Sequence, residues 1–69
     1  MTKKVEEISP EIRLQIIQQE HQMWANTREM FTIRHRVYKR LNDSEGIKAA
    51  EKELEKCETA LDELDKILL

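Results

Sequence analysis

Hydrophobic residues recur every seven positions along residues 16–41, in two adjacent columns: Ile16, Met23, Met30 and Val37, and beside them Ile17, Trp24, Phe31 and Tyr38. That period is helical, and the chain carries it without interruption from Pro10 to Leu41. Ser9-Pro10-Glu11 supplies a start signal: a serine to cap the free amides, a proline suited to the first helical position, and an acid in the first turn. "NDSEG", Asn42 to Gly46, is the one break and is rich in turn and N-cap residues. Beyond it a second heptad pattern places Ile47, Leu54, Leu61 and Leu68 in one core position and Ala50, Cys57 and Leu64 in the other, with Asp43 or Ser44 as the cap. The pattern predicts an all-α, antiparallel, coiled-coil-like hairpin with helices at about 10–42 and 44–68. Residues 1–9 form a flexible tail, in which Val5 and Ile8 are free to dock.

With the break at residues 42–46, Leu41 lies opposite Ile47, Tyr38 faces Ala50, Phe31 faces Cys57, and Trp24 faces Leu64, large opposite small. Leu68 then meets Glu20, and residues 10–19 overhang by about 15 Å with Ile12, Ile16 and Ile17 uncovered. A partner is expected to cover them.

The two columns of the first helix point roughly 100° apart, which is too wide for one neighbour. Glu20, Thr27 and Arg34 lie between the columns. Pairing this helix antiparallel with a copy of itself about Thr27 sets Glu20 against Arg34 in both directions. The same pairing matches Ile16 with Tyr38, Ile17 with Val37, Met23 with Phe31 and Trp24 with Met30. Such self-complementarity is what a two-fold interface requires. The expected dimer interface is therefore Ile16, Ile17, Glu20, Met23, Thr27, Met30, Arg34 and Val37, in a homodimeric four-helix bundle. The two ion pairs would add little stability but would penalise slipped registers. Against this stands an ordinary seam at whose edge the three polar residues merely snorkel.

Length makes the same demand. A chain of 69 residues buries little surface and usually needs a disulfide, a metal or a partner. One cysteine cannot form an internal disulfide, and His21, His35 and Cys57 lack zinc-ligand spacing, so neither metal nor cofactor is expected. No apolar run is long enough to span a bilayer and no signal segment follows Met1; with the lone thiol, these make the cytoplasm the expected compartment.

Charge divides along the chain. Residues 10–42 carry six cations and three acids, a net +3, whereas residues 43–69 carry nine acids and four lysines, a net −5. Two such segments are expected to lie side by side. His21, Arg28 and His35 share a column, with Lys39 close by and Arg36 and Arg40 further round. Arg28, His35, Arg36, Lys39 and Arg40 are the candidate contacts for nucleic acid, weighed against a solvated flank that offsets the acidic second helix. In shape, though in no shared motif, the expected dimer resembles the Rop-type hairpin dimers, small four-helix bundles that bind RNA through one helical face. A likeness of shape alone assigns no function.

Neither a Gly-rich phosphate loop nor a nucleophile–base pairing occurs, and Cys57 falls in the heptad core. The reading is a non-enzymatic interaction module, an adaptor, regulator or inhibitor that binds itself and another protein. The alternative is a nucleic-acid-binding regulator using the basic face.

Overall fold

The computed structural model describes residues 8–68. The expected tail falls outside the described residues over positions 1–7, Val5 included. Two helices make up the described chain, α1 (Pro10–Leu41) and α2 (Ser44–Leu68), packed as an antiparallel hairpin. This is the all-α fold that the periodicity predicts.

Local chemistry sets each boundary. At the start of α1, the Ser9 hydroxyl accepts a 3.3 Å hydrogen bond from the Ile12 amide, and the Ser9 carbonyl accepts from the Arg13 amide at 2.9 Å. The first satisfies an orphan amide of the first turn, and the second opens the helical ladder. At the other end Asn42 adopts the left-handed conformation, with φ 58° and ψ 36°. Its amide donates to the Lys39 carbonyl at 3.1 Å, and the Asp43 amide donates to the Tyr38 carbonyl at 3.0 Å. These two bonds are a Schellman ending, with asparagine at the position glycine usually takes. Asp43 is the cap of α2: its Oδ1 accepts from the Gly46 amide at 2.9 Å, and its carbonyl from the Ile47 amide at 2.9 Å.

The connection is therefore two residues, Asn42 and Asp43, rather than all of 42–46. Its midpoint moves toward the N-terminus, and the register moves by about one helical turn. Tyr38 packs on Gly46 rather than opposite Ala50. Trp24 borders the same hollow as Ala60, and Ile17 the same groove as Leu64. Leu68 reaches the level of Ile17 and Leu14 rather than Glu20, so the overhang of α1 is shorter than the 10–19 expected.

The seam buries Ala50, Cys57 and Leu61, all from α2, while α1 buries no residue completely. Ile17, Trp24, Phe31 and Tyr38 of α1 are half-buried, as are Ile47, Leu54, Ala60 and Leu64 of α2. The molecule measures 15 Å in its thinnest direction, little more than one helix with its side chains. A single layer of helices leaves both faces of the hairpin open. Each ordered residue costs on the order of 1 kcal/mol of backbone entropy, so a core of one leucine, one cysteine and one alanine is thin compensation.

Candidate functional site: the open apolar face of the hairpin

The two sides of the seam differ. On one side, His21, Arg28 and His35 of α1 meet Asp65, Glu58 and Glu51 of α2 at 3.5, 3.5 and 3.0 Å. Successive rungs are seven residues apart on both helices, so one turn-for-turn register supplies all three. The three pairs form a ladder down one edge of the hairpin, in which Arg28–Glu58 joins a cation of the basic segment to an acid of the acidic one. These groups are largely solvated, so each pair contributes little stability. Their effect is to occupy that side with paired polar groups.

The other side has no such closure. Ile12, Ile16, Met23, Met30, Val37 and Leu41 run down α1 with exposures between 40% and 65%. At about 100° per residue they lie within one sector of the helix, well away from the column that faces α2. The steps between them are 4, 7, 7, 7 and 4 residues, which read the same in either direction. The point of symmetry falls between Asn26 and Thr27.

Near the open end of the hairpin this stripe runs into a groove of about 710 Å³, lined by Ile8, Arg13, Ile16, Ile17, Glu20, Leu64 and Ile67. The groove joins the α1 stripe to the only part of α2 with exposed large apolar side chains, Ile67 and Leu68. Through the middle of α2 the corresponding positions are Glu53, Lys56 and Ala60. α2 faces one neighbour, and α1 has a face for two.

The expected interface residues separate on this geometry. Ile16, Met23, Met30 and Val37 lie on the open stripe, whereas Ile17 is half-buried in the seam beside Leu64. Thr27 is half-buried, and Glu20 and Arg34 are exposed. Arg34 holds its guanidinium 5.3 Å from the centre of the Phe31 ring, close enough for a cation–π attraction. Among the described residues, neither Glu20 nor Arg34 takes part in an ion pair within the chain. Ile12 and Leu41 belong to the same stripe, beyond the residues that the heptad column identifies. Their four-residue offset from the heptad column is the signal that identifies them.

The candidate nucleic-acid contacts divide as well. Arg28 and His35 are rungs of the ladder, beside the carboxylates of Glu58 and Glu51. Arg36, Lys39 and Arg40 are exposed on the last two turns of α1. The column of His21, Arg28 and His35 is thus a mixed-charge edge.

Cys57 is fully buried, and its thiol pKa is pushed up, first by burial and then by the nearby Glu53 carboxylate. An activated nucleophile requires the opposite shift. Among the described residues no group of three or more His, Cys, Asp or Glu side chains is arranged to hold a metal ion, and no helix is long and apolar enough to cross a membrane. Compared with known proteins, the chain matches no family model, no curated protein and no solved structure.

Proposed function

We propose that this chain is a small non-enzymatic interaction module that works as a homodimer and acts on another protein as an adaptor, regulator or inhibitor, in a reducing, cytoplasmic setting. The observation that carries this reading is the exposed apolar stripe of α1. Six large aliphatic side chains stand exposed along one face of a hairpin in which, among the described residues, only Ala50, Cys57 and Leu61 are buried. Apolar stripes of this extent mark interaction surfaces, and small folds with thin cores commonly gain their stability from a partner chain.

The rival reading, a nucleic-acid-binding regulator, relies on Arg28, His35, Arg36, Lys39 and Arg40. The ladder favours the protein-binding reading, because it places Glu51 and Glu58 next to two of those five residues. A phosphate backbone approaching there would meet carboxylates as well as cations.

The distinguishing experiment is recovery of partners by the tagged protein from its native lysate, with and without nuclease. The module reading expects the same protein partner in both, bound through moderate salt, and lost together with the dimer on Met23→Asp/Met30→Asp. Loss of every partner on nuclease treatment, with binding that falls steeply with salt and disappears in Arg36→Ala/Lys39→Ala/Arg40→Ala, would replace it with the nucleic-acid reading.

A further inference from the structure

We infer that the open stripe of α1 is the seat of a second copy of the chain, docked α1 against α1 in antiparallel orientation about a two-fold axis between Asn26 and Thr27. This deepens the homodimer reading above and rests on it, adding the face, the direction and the register.

The argument begins with the symmetry of the stripe. A two-fold axis perpendicular to a helix pairs residues equidistant from it, so an isologous interface requires a pattern that survives reversal. The 4, 7, 7, 7, 4 spacing does so. Ile12 is set against the partner's Leu41, Ile16 against the partner's Val37, and Met23 against the partner's Met30. Each of these six finds another; Ile33, 56% exposed on the flank beside Met30 and Val37, falls opposite the partner's Glu20 instead. The axis lies half a residue from Thr27 because α2 already occupies the column of Ile17, Trp24, Phe31 and Tyr38. The partner meets the outer column instead.

Charge selects the direction. In a parallel pair the same stripe would also match itself, but Glu20 would face Glu20 and Arg34 would face Arg34. In the antiparallel pair Glu20 comes within one residue of the partner's Arg34, twice over. Opposite charge in one orientation and like charge in the other is how interfaces exclude the wrong arrangement.

The groove then has an occupant. Its level on α1, residues 13–20, is the level at which the partner's Val37 arrives, with the partner's Leu41 at its outer end. These two side chains fill a hollow walled by Ile8, Ile16, Ile17, Leu64 and Ile67. From Ile12 to Leu41 the stripe is about 44 Å long; taken about 15 Å wide it buries roughly 650 Å² on each copy before the groove is counted. Stable interfaces bury about 600–1,000 Å² per partner, so the stripe alone reaches the lower end of that range.

Thiol crosslinking in a Cys57→Ala background tests the geometry. Ile16→Cys and Val37→Cys are made separately and treated with a short bis-maleimide, alone and as an equal mixture. Ile12→Cys and Leu41→Cys form a second, independent pair, and circular dichroism verifies that each variant is helical. The expected result is covalent dimer in each mixture and none from any variant alone, since the same residue in the two copies is more than about 30 Å apart. Crosslinking of Ile16→Cys alone indicates a parallel pair and overturns the proposal. No covalent product in either mixture also overturns it. Light scattering on the same samples separates the two failures. A dimeric mass without crosslinks removes only this geometry, whereas a monomeric mass, with the stripe left to another protein, removes the homodimer as well.

Discussion

The ring of Tyr38 lies directly over the bare Cα of Gly46. A Cβ built there would stand 2.8 Å from two ring carbons and 2.8 Å from Oδ2 of Asp43. Glycine within a helix ordinarily costs about 1 kcal/mol relative to alanine. Here the close approach of α1 reverses that preference, because the added methyl would displace a ring rather than the end of a flexible chain. Gly46→Ala is therefore expected to destabilise the hairpin by about 1 kcal/mol or more. Urea unfolding followed by circular dichroism measures it, and an increase in stability would mean that Tyr38 does not pack at this position.

The two-residue connection makes its own prediction. Asp43→Ala removes the side-chain acceptor for the Gly46 amide and should cost about 1 kcal/mol. Asn42→Gly, at the left-handed position, should be neutral or slightly stabilising, whereas Asn42→Val should cost about 1–2 kcal/mol. The same unfolding measurement ranks the three variants. Equal stabilities would show that the turn is not built on these two residues.

How much of this was legible in the sequence depends on the residue. Helix boundaries were, because Ser9, Pro10 and Asn42 signal them through local backbone chemistry that needs no tertiary context. The seam column was, because a heptad states which side chains share a face. Register was not. Whether the turn comprises Asn42 and Asp43 or the whole stretch to Gly46 depends on Asp43 capping α2 from within that stretch, and on a glycine that admits Tyr38. The role of the basic column was half legible: the charge imbalance placed the two helices side by side, but only the shared seven-residue rungs show that Arg28 and His35 meet Glu58 and Glu51. Ile12 and Leu41 escaped a strict heptad reading because each lies four residues outside the column it extends.

Cys57 reports on the seam. Fully buried and with its pKa raised by burial, it should react with a thiol reagent at neutral pH at least tenfold more slowly in the native protein than in denaturant. Linkage carries a definite sign. The unfolded chain gives up the thiol proton at lower pH than the folded one, so the contribution of this group is intact below the ordinary thiol range. It is lost as pH rises through that range toward the raised native value. Native reactivity equal to that of the unfolded chain would place Cys57 outside the core.

The polar pair between the columns can be inverted. Glu20→Arg should weaken self-association by about tenfold, since it sets arginine against the partner's Arg34 at both ends of the interface. Adding Arg34→Glu should recover most of the loss, less the contribution of the Arg34–Phe31 contact. Concentration-dependent light scattering gives both values. Additive weakening without rescue would show that the two residues do not meet across the axis.

Everything proposed for this chain depends on α1 having a second neighbour, and the mass of the particle in solution tests that most directly. Sedimentation equilibrium of the unmodified protein at tens of micromolar should give twice the 8.3 kDa of the chain, and Met23→Asp/Met30→Asp should reduce it toward 8.3 kDa while the protein remains helical. A wild-type particle of 8.3 kDa across that concentration range, with its helices intact, would contradict the account.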